Sequence, residues 1–310
     1  MSSALRQEIC ARLSQLARHE GYTESLLDGV RFMRANQQWA RTPVLYEPSI
    51  IIICQGAKRA FLGDRLYHYD AQHYLVLSVP LPFSAETEAT SHEPLLGLAL
   101  RLDIDKVSRL VAQLPGTVAV TREPPAGMVS TPIDEALAKA TLRLLEALSE
   151  PLEAKILGPA RAEEVCFRVL MGPQGAAVRA ALTFQGHFGR IARALHRIHA
   201  DWRRPLDVPS LAREAGMSVP RFHLHFKNLT QTSPIQYVKS LRLHQARLMM
   251  IRDNVTAAGA AARVGYESDS QFSREFKRMF GRSPADEARV MKRAFALLPA
   301  EQQFGRVEPH

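Results

Sequence analysis

The 310-residue chain reads as an α+β protein. An N-terminal antiparallel β-barrel with appended helices precedes an all-α C-terminal domain that holds two helix-turn-helix units. Three observations carry that reading. Between residues 49 and 102, β-branched and aromatic runs alternate with short turn signals. From Thr131 onward, apolar residues recur at helical spacing. In the C-terminal third, one supersecondary pattern occurs twice, about fifty positions apart.

The strands come first. Ser49–Cys54 is a continuous β-branched run, as expected of a buried strand. Lys58–Leu62 and Arg65–Tyr69 flank Gly63-Asp64, a hairpin turn signal. His73–Val79 and Leu95–Leu102 complete the set, and such spacing suggests an antiparallel barrel or jelly roll. Thr131-Pro132 is expected to cap a helix running to Glu150, with Ile133, Leu137, Leu144, Leu145 and Leu148 as its apolar stripe. A second helix is expected over Ala162–Leu170, and an apolar stripe alone does not say whether these helices pack within the chain or in a dimer. Gly172-Pro173-Gln174-Gly175 and Gly186 punctuate a linker. Beyond it, Ile191, Leu195, Ile198 and Trp202 form the core face of the next helix, with Arg190, Arg193 and Arg197 outside it.

The repeated pattern needs a small residue where two helices touch, a turn glycine and an apolar anchor. Ala212, Gly216 and Phe222 fill these places once; Ala261, Gly265 and Phe272 fill them again with one more residue in the turn. Ser218 and Ser268 are expected N-caps, with Gln271 completing a capping box in the second copy. Phe272, Phe276 and Phe280 then bury one face of a helix whose other side offers hydroxyls and cations, a surface suited to a DNA groove. Between the copies, Ser233-Pro234 starts a helix reaching about Arg252, roughly 27 Å long at 1.5 Å per residue. It would hold the two second helices about 34 Å apart, one turn of B-DNA.

Charge follows the same division. Residues 186–310 hold 21 Lys and Arg against 11 Asp and Glu, whereas residues 1–185 hold 19 against 20. The basicity therefore belongs to the part with the doubled motif, the electrostatic footprint of a nucleic-acid-binding domain.

Composition narrows the rest. At 46% apolar and 23% charged the chain is an ordinary globular one, and its length suggests two domains. It has no apolar run of 18 residues, so no membrane span is expected. The segment Met1–Leu16 lacks a signal core, so a cytoplasmic, nucleoid-associated protein is expected. Cys10, Cys54 and Cys166 are odd in number and far apart, hence core fillers rather than disulfides. His68, His73 and His92 lie in separate strands or loops, and His223 and His225 point to different sides of a helix, so no metal or cofactor is expected. No Walker loop, nucleophile elbow or dinucleotide fingerprint appears, and an enzyme is not expected.

Residues 191–293 resemble the AraC/XylS-type transcriptional regulators. The resemblance rests on Ser233-Pro234, the pairs Arg242-Leu243 and Ala246-Arg247, Val264-Gly265-Tyr266-Glu267-Ser268, and Phe280-Gly281-Arg282-Ser283-Pro284. One departure is the small Ala260, where members usually carry a larger aliphatic, which suggests a thinner core in the second unit. Glu47–Arg59, Leu62-Gly63-Asp64, His73-Tyr74-Leu75, Glu93-Pro94-Leu95-Leu96 and Leu100–Asp103 are similar to the N-terminal domain of one AraC subgroup. The resemblance implies a cupin-like sensory domain with an effector of unknown identity.

The expected organisation is an N-terminal helix (1–24), a cupin-like sensor (25–130), a helical linker open to dimerisation (131–189), a DNA-binding domain (190–293, with helix-turn-helix units near 207–229 and 256–280) and a tail (294–310). The expected function is sequence-specific transcriptional regulation, as an activator responding to a small molecule. Expected partners are double-stranded promoter DNA, an effector, RNA polymerase and a second copy of the chain, and no membrane. Candidate DNA-contacting residues are Pro220, Arg221, His223, Leu224 and Lys227 in the first unit, and Asp269, Ser270, Ser273, Arg274 and Lys277 in the second. Arg274 is the leading base reader, because a guanidinium can bond guanine O6 and N7 together. The first unit is poor in strong donors and fits reading of thymine methyls and shape. Two competing readings are a cupin enzyme with a DNA-binding tail and a ligand-independent architectural DNA binder.

Overall fold

The computed structural model describes residues 2–114, 126–182, 186–204 and 206–296. The expected tail therefore lies outside the described residues from position 297 onward.

After helix α1 (Ser3–Leu16) come ten antiparallel strands: β1 (Gly21–Glu24), β2 (Val30–Ala35), β3 (Trp39–Tyr46), β4 (Ser49–Gln55), β5 (Ala57–Leu62), β6 (Arg65–Asp70), β7 (His73–Leu77), β8 (Leu81–Glu88), β9 (Leu95–Arg101) and β10 (Met128–Pro132). They form a six-stranded sheet in the order β1-β2-β9-β4-β7-β10 and a four-stranded sheet in the order β3-β8-β5-β6. The sheets stack face to face and do not close into one hydrogen-bonded barrel. β4 shows why its sequence is continuously apolar. Ile51 and Ile53 enter the core between the sheets, while Ile50 and Ile52 face a layer of helices.

That layer contains α1, α3 (Glu135–Ala147) and α5 (Gly158–Met171), with α2 (Ile104–Ala112), α4 (Pro151–Ile156) and α6 (Gly175–Leu182) beside them. Ile9 and Leu13 of α1, Leu137, Leu144 and Leu145 of α3, and Val165 and Val169 of α5 are all buried in the cluster that covers the outer face of the larger sheet. Each such side chain contributes roughly 1.5–3 kcal/mol on burial. The appended helices thus pack within the chain.

One expected helix start is corrected. Thr131 and Pro132 belong to β10, pairing with Tyr74 and His73, and α3 begins after Asp134, whose carboxylate accepts from Leu137 N at 2.7 Å. β10 is an edge strand with β7 as its one partner, a place where proline removes no needed donor.

The C-terminal helices are α7 (Gly186–Asp201), α8 (Val208–Glu214), α9 (Val219–Thr230), α10 (Pro234–Arg252), α11 (Ala257–Arg263), α12 (Asp269–Phe280) and α13 (Pro284–Ala296). α10 is the frame. Tyr237, Leu241, Leu243, Ala246 and Met250 are buried along it, and Arg247 pairs with Glu287 of α13 at 2.6 Å. It also joins the domains: Tyr237 Oη donates to Pro80 O at 2.6 Å, and Arg247 Nη1 donates to Pro43 O at 3.3 Å. Close by, a Cβ at Gly127 would lie 2.6 Å from Leu229 O, so only glycine admits the end of α9 there. The core between the sheets runs on through this contact into the C-terminal helices.

Candidate nucleic-acid interface

Each helix-turn-helix unit is three helices deep. In the first, α8 and α9 meet at Gly216, with φ of +61°; in the second, α11 and α12 meet at Gly265, with φ of +80°. Both glycines take a left-handed conformation that a side chain would strain. Against each lies an arginine from the preceding long helix. Arg190 of α7 donates to Gly216 O at 3.1 Å, and Arg242 of α10 lies 3.5 Å from where a Cβ on Gly265 would stand. Arg242 also donates to Trp202 O and Arg204 O, both at 3.0 Å, tying the second turn to the end of α7. The repeat therefore extends to α7 and α10.

The aromatic anchors are buried as expected. Phe222 and Phe226 pack in the first unit, with Phe226 edge-on to Tyr237 at 5.5 Å; Phe272, Phe276 and Phe280 stack along α12. Ala260 and Ala261 are both fully buried.

Capping separates the two units. Ser268 Oγ accepts from Gln271 N at 3.3 Å, whereas Ser218 stands at the N-cap of α9 without a side-chain bond. The capping box is half formed, because the Gln271 amide donates to Glu275 instead of reaching back. Glu275 is a junction that sequence spacing did not reveal. Its carboxylate accepts from Lys239 Nζ at 3.0 Å, Tyr266 Oη at 2.8 Å and Gln271 Nε2 at 3.2 Å. Burial pushes this carboxyl up, but bonds from Lys239, Tyr266 and Gln271 outweigh that and hold it below its ordinary value. In the first unit the buried link is His199 to Tyr237, at 2.8 Å. Burial, helped by His196, pulls His199 down to about 4, so its imidazole is neutral at pH 7. Tyr237 already donates to Pro80, so His199 Nε2–H is the donor to the Tyr237 oxygen.

The surface left over contains the candidate contacts. Asp269, Ser270, Ser273, Arg274 and Lys277 are exposed along one side of α12. Pro220, Arg221, Leu224 and Lys227 are exposed on α9, and His223 is half-buried. Arg274, Lys277 and Lys227 make no ion pair among the described residues. His225, half-buried like His223, stacks on the exposed His187 of α7 with ring centres 4.5 Å apart.

Two side-chain groupings, one local and one long-range, went beyond the sequence reading. His68 and His73 sit across the short β6–β7 turn and converge on Asp70, with contacts of 3.7 and 3.0 Å, so a His₂Asp donor set exists where none was expected. A two-residue turn brings adjacent strand ends together. Cys10 and Cys54 also meet, with Cys10 Sγ donating to Cys54 O at 3.1 Å. Burial raises both thiols, as it does Cys166, pushed up to about 12. All three are therefore poor nucleophiles and suit the filler role.

Comparison with known proteins agrees with this geometry. Residues 26–177 match the family described as the AraC-type transcriptional regulator N-terminus, and residues 211–300 match a helix-turn-helix domain. The regulator AlkR of Acinetobacter baylyi is 34% identical over 94 residues, which is 30% of this chain and 31% of that protein. The transcriptional activator RhaS of Yersinia pestis is 30% identical over 98 residues, 32% of this chain and 36% of its own. The match thus spans about a third of the length of these curated relatives. Among solved structures, ToxT of Vibrio cholerae with an unsaturated fatty acid bound aligns at a TM-score of 0.54, with 13% identity, over 87% of this chain and 97% of that one. An apo form of ToxT aligns at 0.57 with 11% identity, over 87% of this chain and 98% of that one. The likeness to ToxT is one of fold, and no helix among the described residues is long and apolar enough to cross a membrane. With an AraC-type N-terminal domain and a doubled helix-turn-helix domain in one chain, the protein belongs to the AraC-type transcriptional regulators.

Proposed function

We propose that the chain regulates transcription by binding double-stranded promoter DNA through α9 and α12, and that it acts as an activator under control of a small molecule held by the N-terminal domain. The observation that carries this is the doubled unit on α10: two exposed helix faces built on one frame, whose Lys227, Arg274 and Lys277 make no ion pair among the described residues. Residues 190–293 form the DNA reader and residues 25–130 the sensor. Arg274 reads a guanine, with Asp269, Ser270 and Ser273 on the same face and Lys277 toward phosphate. Pro220, His223 and Leu224 enter the groove in the first unit, flanked by Arg221 and Lys227. A fatty-acid-bound protein of the same fold supports a small-molecule role for the sensor. RNA polymerase is the proposed target of activation, with a homodimer as the working assembly in the cytoplasm.

Genome-wide mapping of bound DNA, followed by binding of Arg274→Ala to the mapped fragments, tests the reading. The variant should lose about 1–3 kcal/mol and relax preference mainly at one base pair. Uniform weakening on every sequence would demote Arg274 to a phosphate contact. Binding should also fall with salt at a log–log slope of about −0.9 per phosphate neutralised, and salt-insensitive binding would contradict the electrostatic reading.

A further inference from the structure

We infer that His68, Asp70 and His73 form a site for a divalent transition-metal ion, of the zinc or nickel kind, on the outer face of the sandwich. The site goes beyond the regulator reading and does not depend on it.

The three residues come together because of how β6 turns into β7. Residues two apart on a strand share a face, so His68 and Asp70 point outward while Tyr69 between them is buried in the core. Ala71 and Gln72 then reverse the chain and bring His73, the first residue of β7, beside Asp70. Asp70 Oδ1 accepts from Gln72 N at 2.8 Å, which sets the orientation of the carboxylate. The backbone beneath is held as well. Ser130 Oγ of β10 donates to His68 O at 2.6 Å, and Ile133 N donates to Gln72 O at 2.7 Å. Ligands fixed before an ion arrives lose less freedom when it binds.

Distances favour an ion over a plain hydrogen-bonded cluster. His73 Nδ1 lies 3.0 Å from Asp70 Oδ1, and His68 Nδ1 lies 3.7 Å from Asp70 Oδ2. The second separation is too long for a hydrogen bond, yet a ring nitrogen faces a carboxylate oxygen across it. Lone pairs on the two atoms repel unless a positive centre lies between them. A proton serves one such pair, whereas a single ion bonded to all three residues serves both. Bonds of about 2.0–2.2 Å to a tetrahedral ion put neighbouring ligand atoms about 3.4 Å apart, between the two separations seen here. All three ligand atoms lie within 4.8 Å of one another, and no other such trio occurs among the described residues. Two imidazoles and a carboxylate suit zinc, nickel, cobalt or copper, while magnesium and calcium take oxygen ligands. His68 is exposed and Asp70 lines an open cleft of about 590 Å³, so water reaches the remaining coordination positions. β6 belongs to the smaller sheet and β7 to the larger, so the ion would clip the two sheets together where the chain passes between them.

Zinc chloride titrated into the full chain, after metal is stripped with EDTA and the chelator removed, tests the site by calorimetry and by melting. The wild type should bind zinc saturably and melt at a higher temperature with it. Magnesium chloride should do neither. His68→Gln and Asp70→Asn should each weaken zinc binding about tenfold or more. Both substitutions keep the local shape, since His68 is exposed and the asparagine carbonyl still accepts from Gln72 N. His92→Gln, at an exposed histidine elsewhere in the sandwich, should bind zinc as the wild type does. No saturable zinc binding by the wild type would overturn the inference. So would equal binding by the wild type, His68→Gln and Asp70→Asn, or a loss in His92→Gln as large as that in His68→Gln.

Discussion

Both helix-turn-helix units meet the N-terminal sandwich, the first at the end of α9 and the second where α10 and α12 lie against β3. They differ in their exposed faces: the first has few strong hydrogen-bonding side chains, and the second is better capped and richer in them. At the end of α9, Leu229 presses against Gly127, and the neighbouring Tyr237 bonds to Pro80 of the sandwich. The exposed face of α9 carries Pro220, a half-buried His223 and a 58%-exposed Leu224. α12 instead begins with a bonded Ser268 cap, is braced by Glu275, ends at a left-handed Gly281, and displays Arg274. The contrast teaches that duplication need not copy the task. Under the proposed function, the second unit would hold the sharper base contacts and the first would add the weaker ones.

The comparison is broken or sharpened most strongly at the aromatic anchors. Phe226→Ala and Phe276→Ala each remove a fully buried ring and should each cost about 3–5 kcal/mol in chemical denaturation. Hydrogen exchange should then show protection lost first in the mutated unit, with Phe226→Ala also loosening the sandwich edge around Pro80. Equal loss across both units in both variants would show a single cooperative block with no division between them.

Acid should act on both units next. His199 has a folded pKa lowered to about 4 against an ordinary value near 6.5. The unfolded chain therefore takes up this proton first, so stability present above about pH 6.5 is lost as pH falls toward 4 and then levels off. Glu275 has the opposite chemistry and the same direction of loss: a depressed carboxyl stabilises above its unfolded value and gives that up only as pH falls through its lower folded value. His244, buried against Phe280 in the second unit, is pulled down to about 3 by burial and by Arg247, so both units should lose stability as pH falls from about 6.5 to about 4.5, as read by amide chemical shifts. His199→Gln should flatten that part of the profile, and an unchanged profile would remove His199 from the account.

The smallest effect lies at the caps. Ser268→Ala should cost about 1 kcal/mol, while Ser218→Ala should cost close to nothing because no side-chain bond is lost. Equal costs would mean that the difference in capping between the units is not real in solution.

What could be read from sequence was what repeats locally. The phenylalanines of α12, the two turn glycines, the Ser233-Pro234 helix start and the apolar run of β4 each follow from spacing within one element. Five strands were not drawn from the sequence, and three of them, the edge strands, carry an explanation. β1, β3 and β10 are edge strands, where one-sided pairing permits Pro43, Pro132 and polar residues that blur the pattern. β8 had a readable alternation, with Leu81, Phe83, Ala85 and Thr87 inward and Pro82, Ser84, Glu86 and Glu88 outward. β2 is an inner strand with several buried residues, and its omission has no such structural excuse. The junction at Glu275 and the bonds from α10 to Pro43 and Pro80 depend on which elements become neighbours, which no periodicity encodes. Ala260 pointed to a thin core in the second unit, yet its capping and its Glu275 brace make α12 the better-secured reading helix.

Selection of bound sequences from randomised DNA, by wild type and by Arg274→Ala in parallel, tests the two-unit reader most directly. The wild type should select a bipartite site with elements about one helical turn apart, one sharply defined and one weakly so, and Arg274→Ala should relax a single position within the sharper element. A site confined to one element, or the same sharp preference from both proteins, would contradict it.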